Sequence, residues 1–145
     1  MSTTQVDREL DVLVAERVMG LDVYRHDGGD DLVFTEDRDW ADAGEPLIDT
    51  GGNPRKVPRY STDIAAAFQV VEAILKRFRR FEIHALPDCY AVQVEDGTDD
   101  INSYYVANVE AETAPLAICR AALAALGVEL PVEQPLPDPP EVRRG

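Results

Sequence analysis

The chain of 145 residues holds 28 acidic side chains against 14 lysines and arginines, so its formal net charge is -14. Because 45% of the residues are hydrophobic, the chain can bury a core, and its length suits one domain of ordinary size; the acidity therefore does not indicate disorder. The negative charge excludes a protein that binds long nucleic acids or anionic membranes, because both functions need a basic surface.

The first predicted element is a helix over residues 4–19. Its apolar side chains recur at spacings of three and four residues, and Thr4 with Asp7 resembles a capping box. Gly20 is expected to end this helix. The N-terminal segment has no basic region followed by an apolar stretch, so we expect no secretory signal and a cytoplasmic protein.

A hairpin and a long loop are predicted next. Residues 21–24 and 32–34 have the composition of strands, and the Asp-Gly-Gly-Asp sequence at 27–30 is typical of a turn between them. Residues 36–59 contain several glycines and prolines and are predicted to form a loop. A loop of this length in a small domain is usually either functional or mobile.

The second helix has the clearest apolar pattern of the chain. It is predicted over residues 64–78, with either Ser61 or Thr62 as its N-cap. Large apolar side chains fall on one stripe of this helix and are expected to face the core. They are Ile64, Phe68, Val71, Leu75 and Phe78.

Three strands and a third helix follow along the chain. The strands are predicted over residues 81–85, 89–94 and 104–109, with connections short enough for antiparallel hairpins. The third helix is predicted over residues 113–126, with Thr113 as its N-cap and Gly127 as its stop.

This order of elements predicts an α+β fold in which an antiparallel sheet of about five strands carries three helices. Residues 1–127 are expected to form the domain. Residues 128–145 are rich in proline and are expected to be an extended, largely unpacked tail.

No catalytic motif, metal site or cofactor site is predicted. The chain has two histidines and two cysteines at dispersed positions, whereas a zinc site needs three or four well-spaced ligands. It also has no nucleophile elbow, phosphate-binding loop or dinucleotide-binding glycine motif. We therefore expect a protein that is not an enzyme.

One group of residues has the chemistry of an anion site. Arg55 and Arg59 precede Tyr60, and hydroxyl side chains follow at the start of the second helix, where free amides favour anions. Trp40, in the predicted loop, is a candidate for stacking on a base. The candidate ligand-binding residues are Arg55, Arg59, Tyr60, Ser61, Thr62 and Trp40.

A structural interpretation of the same residues stays open. In that interpretation a hydroxyl only caps the helix, and the cations only offset nearby acids. Asp63 complements the helix dipole and would repel an incoming phosphate. Trp40 would then cover part of the core.

Three segments together resemble the phage ABA sandwich domain family. They are residues 10–20 (LDVLVAERVMG), 57–74 (VPRYSTDIAAAFQVVEAI) and 111–126 (AETAPLAICRAALAAL), and the similarity spans roughly residues 5–127. The resemblance implies an alpha-beta-alpha sandwich and a phage or prophage origin, but no activity. The chain departs from the family pattern over residues 28–49 and in its tail.

These observations lead to three functional hypotheses. The first is a non-enzymatic protein that binds a small nucleotide-like ligand, as a sponge for a host immune signal. The second is an acidic inhibitor that mimics DNA and binds a host defence enzyme, because residues 81–112 hold eight acids and no lysine or arginine. The third is an accessory structural or developmental protein of the phage, and a homo-oligomer is compatible with each.

Overall fold

The structure is a computed structural model and describes residues 3–25, 33–41, 45–99 and 101–128. The elements in chain order are α1 (Thr3–Leu13), β1 (Val23–Arg25), β2 (Val33–Phe34), β3 (Trp40–Ala41), β4 (Pro46–Ile48), β5 (Arg55–Lys56), α2 (Ile64–Leu75), β6 (Arg80–Ala85), β7 (Tyr90–Gly97), β8 (Ser103–Ala111) and α3 (Ala114–Ala125). The predicted turn at 27–30 and almost all of the predicted tail lie outside the described residues.

The first helix begins as predicted but changes its winding. After α1 the chain continues as a π-helical segment, Val14–Val18, in which the Met19 amide donates to the Val14 carbonyl at 3.0 Å. Gly20 then adopts a φ of +71°, a left-handed conformation that glycine takes without steric cost. The segment turns the chain into β1.

The sheet β6–β7–β8 is the predicted antiparallel meander, and α3 packs on its inner face. In the register of the sheet, Val94 lies between Phe81 on β6 and Ala107 on β8, and Val92 lies opposite Val109. The side chains of these residues therefore share the inner face. The Thr113 hydroxyl accepts from the Leu116 amide, which confirms the predicted N-cap of α3.

The helix α3 lies at the centre of the main core. It contacts the sheet on one side and α2, α1 and the π-helical segment on the other. The small side chains of Ala117, Ala121 and Ala122 are fully buried, which lets the neighbouring elements approach closely. Burial of this face removes it from water and stabilises the fold.

The helix α2 forms where the pattern predicts it, but the face that it buries overlaps the predicted stripe only in part. The buried side chains include Ala66, Ala67, Val70 and Ile74, whereas three residues of the predicted core stripe are exposed by nearly half. Their exposed fractions are 44% for Ile64, 49% for Phe68 and 46% for Leu75. The prediction is wrong for these three residues, because close packing against α3 selects the alanine-rich face. It is confirmed for Val71, which is buried, and for Phe78, which packs on the main core.

The N-cap prediction for α2 is also wrong. Asp63 is the N-cap, since its carboxylate accepts from the Ala65 amide at 3.0 Å. The Ser61 side chain is buried, and Thr62 lies one residue too early. An aspartate at this position satisfies one of the free amides and complements the positive end of the helix dipole.

Among the residues that the structure describes, the predicted pairing of residues 21–24 with 32–34 does not occur. Instead β1 pairs with β4, and β4 pairs with β5, in a separate antiparallel sheet. All three residues of β4 are buried, so pairing with this distant strand covers more apolar surface than the local partner offers. The predicted loop over 36–59 therefore contains three short strands.

A two-stranded ribbon, β2–β3, is tied to the outer face of this small sheet. Leu47 and Lys56 lie on that face, opposite to Ile48, and the Lys56 ammonium contacts the Asp39 carboxylate of the ribbon at 3.0 Å. Leu47 is fully buried, as are Ala41 and Thr35 of the ribbon, and neither Leu47 nor Ala41 belongs to the main hydrophobic cluster. We name these three residues the outer core.

The α+β class, the antiparallel pairing and the three helices are confirmed, and the layers are consistent with a sandwich. The single sheet of about five strands is not confirmed. Within the described ranges the strands form two three-stranded sheets and the ribbon. No helix in the described part of the chain is long and apolar enough to cross a membrane.

Candidate functional site

The candidate site is the turn that leads into α2. The Arg59 carbonyl accepts from the Thr62 amide at 3.1 Å and from the Asp63 amide at 2.8 Å. This tight turn directs the side chains of Tyr60 and Ser61 inward, where they are 1% and 2% exposed, and leaves Arg59 and Thr62 at the surface.

A buried carboxylate fixes this turn. Asp11 on α1 accepts from the Ser61 amide at 2.8 Å and from the Arg8 guanidinium at 2.7 Å. Arg8 also donates to the Val57 carbonyl at 3.1 Å and to the Glu45 carboxylate at 3.2 Å. Because Arg8 balances the negative charge of Asp11 and both carboxylate oxygens accept hydrogen bonds, the carboxylate can be buried here.

Sequence reasoning did not find Asp11. The available signal was its place beside Leu10 on a helix, where an acid interrupts an apolar pattern, with Arg8 three residues earlier to pair with it. Its contact with Ser61 joins positions fifty residues apart along the chain. Local spacing carries no information about such a contact.

Tyr60 belongs to the core. Burial raises the pKa of its phenol, and the nearby positive charge of Arg55 acts in the opposite direction. Since only 1% of the residue is exposed, neither face of its ring is available to stack on a base. The Tyr60 side chain therefore anchors the turn to the core.

Arg55 and Arg59 are the exposed cations that flank Tyr60. Neither forms an ion pair with an acid in the ranges that the structure describes, whereas Lys56 is held by Asp39. Two guanidinium groups with free donors can hold a phosphate or carboxylate through charge-assisted hydrogen bonds. Thr62 adds an exposed hydroxyl to the same turn.

The amino end of α2 adds little to anion binding. Asp63 already accepts from the Ala65 amide and places a negative charge at the end of the helix. The dipole is therefore complemented by the protein itself, and an anion would meet repulsion there. The chemistry of the site rests on the arginines.

Trp40 lies on a different face from Arg55. It is 56% exposed on the ribbon, and its ring meets the Phe34 ring edge to face, with centroids 5.2 Å apart. The ribbon is joined to the Lys56 face of β5, whereas Arg55 shares the opposite face with Ile48. Arg59 and Thr62 lie in the turn, and Arg55 lies in β5, where its charge acts on Tyr60. Trp40 lies apart from them on the ribbon.

The ribbon is held by the side chain of Asp39. A hydrogen bond from the buried Thr35 hydroxyl, at 2.5 Å, and one from Lys56 lower the pKa of this carboxyl. The carboxylate form is therefore favoured at neutral pH. Among the residues that the structure describes, no group of three histidine, cysteine, aspartate or glutamate side chains could hold a metal ion.

Three of the acids in residues 81–112 are engaged by other groups of the chain. Glu95 is buried beside Arg79 and Arg80, and Glu82 lies 3.5 Å from Arg80. Asp99 caps its own turn by accepting from the Asn102 and Ile101 amides, and these bonds lower its pKa. The charges are spread over a strand face and the β7–β8 turn.

Comparison with known proteins points to phages. The sequence profile of the phage ABA sandwich domain family matches residues 12–123. A crystal structure of a phage protein from Bacillus cereus ATCC 14579 is similar, with a TM-score of 0.56 and 26% identity over 86% of this chain and 91% of that chain. The search of curated proteins gave no match.

Proposed function

Since the chain belongs to the phage ABA sandwich domain family, we propose that it is a non-enzymatic phage protein that binds a small anionic, nucleotide-like ligand. Arg55 and Arg59 contact the phosphate groups, and the Thr62 hydroxyl donates a hydrogen bond beside them. Acting in the cytoplasm of the infected bacterium, the protein sequesters a host immune signal as a counter-defence sponge.

One observation carries this proposal. In a chain with a net charge of -14, two exposed arginines, Arg55 in β5 and Arg59 in the turn four residues later, form no ion pair with any described acid. Two neighbouring cations are paired instead, Arg8 with Asp11 and Lys56 with Asp39. Cations left exposed among so many acids favour a local anion site.

Isothermal titration tests the proposal directly. Cyclic dinucleotides and cyclic ADP-ribose-type molecules are titrated into the full chain, and we expect saturable heat with at least one of them. Arg59→Ala and Arg55→Ala should each weaken that binding roughly tenfold or more, since a hydrogen bond to a charged group contributes about 1.5–3 kcal/mol. Absence of heat with the whole panel overturns the proposal.

Arg17→Ala is the matched control, because Arg17 is an exposed arginine on the π-helical segment. It should bind as the unchanged protein does. If Arg17→Ala lost as much affinity as Arg59→Ala, the effect would come from overall charge and not from the turn. Circular dichroism spectra of all variants should coincide, since the arginine side chains are exposed.

The acidic-inhibitor hypothesis has less support. Mimicry of DNA needs a regular row of free carboxylates, and Glu95 and Glu82 are engaged by Arg79 and Arg80. An accessory structural or developmental role is supported only by the phage family. Neither hypothesis is favoured by a particular contact.

A further inference from the structure

The exposed face of α2 is unusually apolar for a surface helix. Only Gln69 and Glu72 are polar among its twelve residues, and three large side chains are exposed by 44 to 49%. A helix that is apolar on nearly all sides is normally buried. A contiguous apolar patch of this kind marks an interaction surface.

The exposed side chains form one line along the helix. Ile64, Phe68 and Leu75 are separated by four and seven residues, which places them on the same side. The side of α2 that carries Ala67 and Ile74 lies about a quarter turn away and packs on the main core. Val71 falls on the same line and is buried, so the three exposed side chains, which we name the α2 stripe, run along the edge of the buried face.

We propose that the α2 stripe is covered by the α2 stripe of a second copy of this chain, with the two helices antiparallel about a two-fold axis. Ile64 of each copy then meets Leu75 of the other, and Phe68 lies close to the axis. Such an interface is self-complementary, because each contact occurs twice.

The charges at the ends of the stripe fit this arrangement. Asp63 and Lys76 are exposed and lie one residue beyond Ile64 and Leu75. Antiparallel pairing brings the helix end that carries Asp63 close to the end that carries Lys76 in the other copy, so opposite charges lie at both ends of the interface. Parallel pairing would place like charges together, which costs free energy.

The surrounding charge explains why another copy can approach here. Residues 63–77 hold two acids, Asp63 and Glu72, and two bases, Lys76 and Arg77, so the net charge of α2 and its two ends is zero. Residues 81–112 hold eight acids and no lysine or arginine. Two copies of this acidic protein therefore repel each other least along α2.

Sedimentation velocity of the full chain over a wide concentration range tests the proposal. We expect a reversible monomer–dimer equilibrium. Phe68→Asp should weaken dimerisation roughly 30-fold or more, as loss of a central apolar anchor does at other interfaces. Asp63→Asn, which keeps an N-capping oxygen, should weaken it a few-fold by removing the charge.

Leu86→Asp is the matched control, because Leu86 is an equally exposed apolar residue in the β6–β7 turn. It should dimerise as the unchanged chain does. A chain that stays monomeric at all concentrations overturns the proposal, as does a dimer that Phe68→Asp leaves intact. Capture of an unlike partner by the α2 stripe of a monomeric chain would overturn it as well.

Discussion

At the scale of single residues, Gly97 shows how a backbone angle fixes the end of a sheet. Gly97 closes β7 with a φ of +136°, and a Cβ placed on it would lie 2.2 Å from the Asn102 carbonyl oxygen and 2.6 Å from the Ser103 Cα. Only glycine can hold the strand this close to its partner. The β7–β8 connection therefore requires a residue without a Cβ at position 97.

Gly97→Ala should therefore destabilise the protein by more than about 1 kcal/mol, because both the angle and the backbone contact oppose a methyl group. Urea unfolding followed by circular dichroism measures the change. Gly52→Ala is the control, since a Cβ there has no neighbour within 4 Å, and its effect should lie within about 0.5 kcal/mol. Equal midpoints for the two variants would contradict this account.

At the scale of elements, Asp11 connects two helices that are far apart in the sequence. Its carboxylate binds Arg8 within α1 and the Ser61 amide just before α2. The turn carrying Arg59 is thus positioned by α1. An element that supplies no exposed group to the candidate site still determines its geometry.

Asp11→Ala should cost about 3 kcal/mol of unfolding free energy, because it leaves the buried Ser61 amide and part of the Arg8 charge without an acceptor. Glu9 is on the same helix as Asp11 and forms an exposed ion pair with Arg25 of β1. Glu9→Ala removes this pair and should cost less than about 1 kcal/mol. Guanidinium unfolding compares the two variants. A cost for Asp11→Ala as small as that for Glu9→Ala would refute the role of Asp11.

The elements that the sequence predicts well have local patterns of sufficient length. The helices and the β6–β7–β8 meander carry repeated apolar residues and capping or turn residues, such as Thr113, so local chemistry determines them. The strands β3, β4 and β5 have two or three residues each. Their pairing depends on distant partners, which a local pattern cannot report.

The candidate site could be predicted only in part for the same reason. Arg55 and Arg59 are exposed as the anion hypothesis requires, because long charged side chains stay in water wherever the chain allows it. The burial of Tyr60 and Ser61 depends on Asp11, and the cap of α2 on Asp63. These residues can be read from the sequence, but the long-range contacts that determine their roles cannot be predicted from it.

At the scale of the whole molecule, the net charge of -14 opposes the proposed association of two copies. The opposite charges of Asp63 and Lys76 attract locally, but the remaining charges of two acidic bodies repel over distances that salt controls. The Debye length falls from about 30 Å at 0.01 M salt to about 8 Å at 0.15 M. Screening therefore acts more strongly on the long-range repulsion than on close contacts.

Dimerisation should consequently become tighter as the salt concentration rises over this range. Sedimentation equilibrium at several concentrations of sodium chloride measures the dissociation constant. Phe68→Asp should remain monomeric throughout, because screening does not restore its apolar contact. Dimerisation that weakens with salt would show that close ion pairs, and not the apolar stripe, supply most of the attraction.

The outer core has a consequence for how the protein loses its structure. Leu47 and Ala41 are buried outside the main hydrophobic cluster, so we expect the ribbon to open as a separate unit while α3 and its sheet stay folded. The only tryptophan of the chain, Trp40, is on that ribbon. Indole fluorescence therefore reports the detachment of an outer layer, whereas helical ellipticity reports the collapse of the interior.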